Sequence, residues 1–209
     1  MLPDGSRVKP GDAVARISGP GRGILSGERV ALNFLGHLSG VASATAGIAD
    51  AIRHTKARIT CTRKTMPGMR ALQKYAVRCG GGANHRFGLD DAVLIKDNHL
   101  AACDGDVRIA VARAREAAPE GMVVQVECDT VEQVEAALAA GAHGVLLDNM
   151  ALEDLRESVR TCKGRCFTEA SGGVTLETVR AIAETGVDRI SVGALTHSAP
   201  ALDLALDFA

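Results

Sequence analysis

The chain has 209 residues and a formal net charge of -1; 46% of its residues are hydrophobic and only 2% aromatic. Near-neutrality excludes the broad basic field that draws proteins to nucleic acid, and no apolar run approaches the ~18 residues of a membrane span. A core this poor in aromatics must be built from Ala, Val, Leu and Ile, which favours an α/β fold of aliphatic strands under Ala-rich helices.

Residues 1–30 stand apart from the rest. Asp4-Gly5 and Pro10-Gly11-Asp12 are turn signals between short alternating runs such as Ala13-Val14-Ala15-Arg16-Ile17, as at the end of a small β-rich domain. From Glu28 to about His54 the pattern is helical, and the small residues of Gly40–Gly47 permit close packing. Short aliphatic strands ending in polar residues then alternate with helices. The strands are expected at Arg58–Thr62, Ala92–Lys96, Val123–Cys128, Gly144–Asn149, Cys166–Ser171 and Arg189–Ala194, with helices at Val131–Ala140, Leu152–Arg160 and Thr175–Thr185. Ala139-Ala140-Gly141 and Glu184-Thr185-Gly186 each close a helix on a glycine just before a strand. Serial βα units of this kind build either a doubly wound sheet or a barrel.

The stretch from Thr62 to His99 concentrates the cations Arg63, Lys64, Arg70, Lys74, Arg78, His85, Arg86 and Lys96. If they converge, they repel one another unless an anion joins them, so a pocket for a ligand with several negative charges is expected. Arg70, Lys74 and Arg78 recur every fourth residue, the spacing of a solvated helix face. Gly80-Gly81-Gly82 reads as a flexible helix exit or a close approach of backbone to ligand. In both candidate architectures ligands lie at the carboxyl ends of the strands. Those ends carry Arg63 and Lys64, Lys96 and Asp97, Glu127, Asp148 and Asn149, Glu169 with Ser171-Gly172-Gly173, and Gly193 with Thr196 and His197.

Glu127 and Asp148 suit Mg²⁺, which takes one or two carboxylates with substrate phosphates, or else they pair with the cations. Ser171-Gly172-Gly173 ahead of a helix suits phosphate. His37, His54 and His143 have no functional context. The six cysteines include no CxxC pair, so reduced structural thiols are expected, and with no charged-then-apolar leader, a cytoplasmic protein.

Several long phrases together resemble the quinolinate phosphoribosyltransferases. They include Glu28-Arg29-Val30-Ala31-Leu32-Asn33, Thr62-Arg63-Lys64-Thr65-Met66-Pro67-Gly68, Gly80-Gly81-Gly82-Ala83-Asn84-His85-Arg86, Leu94-Ile95-Lys96-Asp97-Asn98-His99, Leu147-Asp148-Asn149-Met150, Glu169-Ala170-Ser171-Gly172-Gly173 and Ser191-Val192-Gly193-Ala194-Leu195-Thr196-His197-Ser198. The resemblance implies transfer of phosphoribosyl from phosphoribosyl pyrophosphate to quinolinate with loss of CO₂, giving nicotinate mononucleotide for NAD biosynthesis. It implies an open, incomplete α/β barrel over 36–197 and part of an N-terminal α/β sandwich over 1–35, with the tail at 198–209 packed beside it. It also implies a homodimer, or a higher oligomer, in which Arg29 acts in trans.

By motif, Arg63, His85, Arg86 and Lys96 would clamp the quinolinate carboxylates together with Arg29, and Lys64 would face the phosphoribosyl pyrophosphate. Glu127 and Asp148 would hold ribose hydroxyls and Mg²⁺. Ser171, Gly172 and Gly193, with His197 nearby, would take the 5′-phosphate. The residues expected to carry catalysis are Lys64, Lys96, Glu127 and Asp148.

Two departures stand out. Cys61 occupies the place of a family Asp, removing a carboxylate that could orient Arg63 or Lys64, and much of the N-terminal domain has no counterpart here. Other readings are a remnant that binds without turnover, a related transferase with another substrate, and a Schiff-base lyase using Lys64 or Lys96.

Overall fold

The computed structural model describes residues 1–208. Its first element is the long helix α1 (Gly21–Ala51), followed by β1 (Arg58–Thr60), α2 (Arg70–Cys79), β2 (Val93–Ile95), α3 (Asp97–Ala101) and α4 (Val107–Ala117). Then come β3 (Val124–Cys128), α5 (Val131–Ala139), β4 (Gly144–Asp148), α6 (Leu152–Cys162), β5 (Phe167–Ser171), α7 (Val179–Ala183), β6 (Arg189–Ser191) and α8 (Ala194–His197). Every expected strand forms, trimmed at its ends.

All strand pairs are parallel, in the order β1-β6-β5-β4-β3-β2. Each later strand lies beside its chain neighbour, and β1 closes onto β6. Among the described residues only the seam between β1 and β2 is unpaired, so the sheet is an α/β barrel left open at one place.

The register divides the sheet into two chemically distinct faces. Ile59, Ile95, Val124, Val126, Val145, Leu147, Ala170 and Ile190 point outward and pack under Val111, Val134, Ala137, Leu155 and Val179 of the helices in one aliphatic core. Thr60, Gln125, Glu127, Asp148, Glu169, Ser171 and Ser191 alternate with them and face inward. The same period of two that builds the core therefore gathers the polar residues on the concave side.

Three local expectations are corrected. Ala13–Ile17 is not a strand, and residues 1–20 form turns and extended chain before α1 begins at Gly21. With no neighbouring strand to take its ladder bonds, the alternating run makes only a contact such as Leu2 N–H to Val14 O at 2.9 Å. The helix expected from Thr175 shrinks to Val179–Ala183, because the Thr178 hydroxyl accepts from Thr175 N–H at 2.9 Å and holds a turn there. The glycine run is a packing surface for α1. A Cβ at Gly80 would stand 2.7 Å from Thr45 Cβ and collide with the Ala42 carbonyl, while one at Gly82 would stand 2.7 Å from Thr45 Cγ2.

Gly36 and Gly40 on α1 give the same close approach to the C-terminal tail, where Leu202 N–H donates to Gly36 O at 3.0 Å. Among the described residues no helix is long and apolar enough to cross a membrane. Since Gly80 meets backbone that has little room to move, Gly80→Ala should lower stability by about 1–3 kcal/mol. Urea denaturation checks this, and an unchanged midpoint would contradict the packing role.

Candidate active site

The concave face opens into a cavity of about 1010 Å³ at the carboxyl ends of the strands. Four permanent cations, Arg63, Lys64, Arg86 and Lys96, line it with only two carboxylates, Asp148 and Glu169. His85, Ser171, Gly172, Gly193 and His197 complete the expected set at its wall. Glu127 lies just behind, where its carboxylate accepts from Lys96 Nζ. Arg29 is not brought here: it is exposed on α1, with Glu28 3.9 Å away.

Helix α2 fixes the cationic loops. Gln73 is fully buried; its Nε2 donates to Thr196 O at 2.7 Å and its Oε1 accepts from Met66 N–H at 3.0 Å. Arg70 donates to Phe87 O at 3.1 Å and to Arg63 O at 3.3 Å, tying the Arg63 loop to the Arg86 loop. Lys74 is 2% exposed; its ammonium donates to His85 O at 2.8 Å and contacts Cys61 Sγ at 3.1 Å. The solvated-face reading thus holds for Arg78 but fails for Arg70 and Lys74, whose side chains fold inward to carry carbonyls. Cys61 Sγ consequently meets Lys74 Nζ at 3.1 Å and Asn84 Oδ1 at 3.5 Å.

On the opposite side, Asp148 accepts from Ser171 Oγ and from Asn149 Nδ2, the latter at 2.7 Å. Asn149 adopts φ 52°, and its N–H donates to Ser171 O at 2.9 Å. Gly172 has φ 94° and lies so close to the Asn149 side chain that a Cβ there would overlap it. The Ser171-Gly172-Gly173 turn is therefore a left-handed backbone concavity and not the start of a helix. At Gly193 a Cβ would stand 3.1 Å from His197 Nε2 and 3.3 Å from Lys64 Cδ, so glycine is what lets those side chains close in.

Among the described residues, the buried side-chain polar atoms that lack a hydrogen bond are Arg63 Nε, His85 Nε2, Arg86 Nε and Glu169 Oε1. All belong to the cavity wall. Three are N–H groups, and unpaired donors at that depth are costly unless a ligand supplies acceptors. Burial depresses the His85 pKa, helped by the Arg86 and Lys74 charges and opposed by Glu169. Burial and the neighbouring Arg63 also lower that of Arg86. A dianion between the arginines would relieve both the repulsion and the unmet donors.

No group of three or more His, Cys, Asp or Glu converges among the described residues. Glu127 and Asp148 are already engaged by protein donors. This arrangement fits a cation that arrives with substrate phosphates, and does not build a closed cage.

The family model for the quinolinate phosphoribosyl transferase C-terminal domain matches residues 41–207, and that for its N-terminal domain matches residues 1–39. The chain belongs to the quinolinate phosphoribosyl transferase family. Among relatives, the nicotinate-nucleotide pyrophosphorylase [carboxylating] of Mycobacterium leprae is 48% identical, across 98% of this chain and 72% of its own length. The probable nicotinate-nucleotide pyrophosphorylase [carboxylating] of Bacillus subtilis is 46% identical over 98% of this chain and 70% of its own. The crystal structure of NadC from Streptococcus pyogenes superposes with a TM-score of 0.93 at 46% identity, covering 97% of this chain and 70% of that one.

Glu169 and Asn149 stand at strand ends where the sequence gives neither a task, and Gln125, which donates to Glu169, is not among the expected site residues. Strand alternation was the available signal, since it turns Gln125 and Glu169 toward the same face as Asp148.

With its folded pKa below the ordinary 6.5, His85 is protonated more readily in the unfolded chain. Its contribution to stability is therefore present above about pH 6.5 and lost as pH falls below it. His85→Asn should flatten the decline in the urea midpoint between about pH 7 and about pH 5; an equally steep decline would contradict this.

Proposed function

We propose that this chain transfers phosphoribosyl from phosphoribosyl pyrophosphate to quinolinate and decarboxylates the adduct, forming nicotinate mononucleotide, pyrophosphate and CO₂. The observation that carries the reading is the pair of unmet Nε–H donors on Arg63 and Arg86 in the wall of one cavity, beside His85 and the Ser171–Gly172 concavity. A pyridine dicarboxylate matches the former and a 5′-phosphate the latter. The identity of 42–48% to carboxylating nicotinate-nucleotide pyrophosphorylases over nearly the whole chain supports it.

Arg63, Arg86 and Lys96 would hold the two carboxylates, with the His85 ring beside them and Arg29 of a second subunit completing the clamp in a homodimer. Leu94 and Leu146 give the cavity an apolar patch for the pyridine ring. Ser171, Gly172, Gly193 and His197 would bind the 5′-phosphate, which leaves C1 of the ribose facing the ring nitrogen. As the bond from C1 to pyrophosphate breaks, the sugar gains oxocarbenium character. Glu127 and Asp148 would steady that positive charge and the ribose hydroxyls, while Lys64 would neutralise charge on the departing pyrophosphate. Mg²⁺ arriving with the pyrophosphate would draw on Asp148 and Glu127 and add to that neutralisation.

Attack by the ring nitrogen displaces pyrophosphate and yields a pyridinium, whose positive charge stabilises the electron pair left on the adjacent ring carbon as its carboxylate departs as CO₂; a proton from water then gives nicotinate mononucleotide. No covalent bond to the protein is needed; the chain supplies placement and compensating charge. The reaction belongs to pyridine nucleotide biosynthesis, and a cytoplasmic site for the protein goes with it.

Incubating the purified chain with quinolinate, phosphoribosyl pyrophosphate and Mg²⁺ should release CO₂ and nicotinate mononucleotide in equal amounts, and no product would overturn the assignment. Lys96→Ala should lower turnover by about 100-fold or more, because it removes a clamp cation and leaves Glu127 unpaired. Activity near wild type in that variant would remove Lys96 from the machinery.

A further inference from the structure

Among the charged residues that line the cavity, Glu169 is the one to which the proposed reaction gives no task. Its side chain is wholly buried on the inner face of β5. Oε2 accepts from Gln125 Nε2 at 3.2 Å. Oε1 makes no hydrogen bond but stands 3.4 Å from His85 Nε2, itself without an acceptor.

The other ring nitrogen, Nδ1, accepts from Arg86 N–H at 2.8 Å, which puts the proton of a neutral ring on Nε2, facing Glu169. Lys74 holds the His85 carbonyl from behind at 2.8 Å. Gln125, Glu169, His85 and the Arg86 backbone thus form one polar line from the barrel floor to the loop that presents the Arg86 guanidinium. Taken alone, a buried carboxylate beside a site for a dianion weakens binding by repulsion.

We propose that Glu169 is a positioning residue for the carboxylate clamp: acting through His85, it braces the Arg86 loop against β3 and β5 so that the guanidinium points into the cavity. The inference rests on the reading that this cavity takes quinolinate. An anion seated on Arg63 and Arg86 would offset the cationic charge around the His85 ring, and the 3.4 Å approach would shorten into a charge-assisted hydrogen bond. The clamp would then stiffen as it fills.

The brace and simple electrostatics predict opposite signs. Glu169→Gln preserves shape and removes the negative charge, so repulsion alone predicts tighter quinolinate binding. The brace predicts that KM and Kd for quinolinate rise about tenfold, that KM for phosphoribosyl pyrophosphate stays within about twofold, and that kcat falls by less than KM rises. Gln125→Met, which frees the far end of the brace, should shift quinolinate KM in the same direction by a smaller factor.

Steady-state kinetics and calorimetry on the full chain measure these values, with thermal melting to establish folding. A folded Glu169→Gln variant with unchanged or lower quinolinate KM overturns the proposal. If that variant does not fold, unchanged quinolinate KM in Gln125→Met does so. Absence of quinolinate binding by the wild-type chain would instead strike the functional reading, and the brace with it.

Discussion

Four permanent cations against two carboxylates in one cavity is the constraint on which the rest of the structure depends. The arginines repel one another, and two of their Nε–H groups are buried without acceptors. A fold tolerates this only if rigid surroundings hold the side chains in place until an anion arrives. That rigidity has an identifiable source in α2, where Gln73, Arg70 and Lys74 hold four backbone groups on the loops bearing Lys64, Arg63 and His85–Arg86 and a fifth, Thr196 O, on α8.

The packing of α2 follows from the same requirement. Gly80 and Gly82 let the end of the helix lie directly on α1 at Ala42 and Thr45, and Ala83 then pairs with Thr60 at the open edge of the barrel. His85 and Arg86 leave that pairing already aimed at the cavity. The open seam between β1 and β2 is thus where a loop enters from the side, while the other strands deliver their polar ends from below. Cys61 fits this account as a small buried neighbour of Lys74: the ammonium that leans on it also supports the site.

The strands, their order of chemistry and the gathering of cations at one rim could be read directly from the sequence, because strand alternation and strand-end polarity are local signals. Side-chain direction on α2 could not, since a four-residue spacing of cations describes a solvated face and a set of inward props equally well. Only the neighbouring carbonyls of Arg63, His85 and Phe87 distinguish them. The helix expected from Thr175 failed on one side chain, Thr178, which bonds its own backbone locally. Ala13–Ile17 failed because a strand is defined by a partner, and pairing is not written in the strand itself. Glu169 was visible at a strand end, but its value depends on Gln125 and His85, which lie far from it in sequence and meet it only in the folded barrel.

The central claim is that the unmet donors on Arg63 and Arg86 are complementary to a pyridine dicarboxylate. A crystal structure of this chain with quinolinate bound tests it most directly. The account predicts carboxylate oxygens within hydrogen-bonding distance, about 2.7–3.2 Å, of both guanidinium groups, with the ring nitrogen facing the Ser171–Gly172 side. Quinolinate seated elsewhere, or bound with either arginine still unpaired, would contradict it.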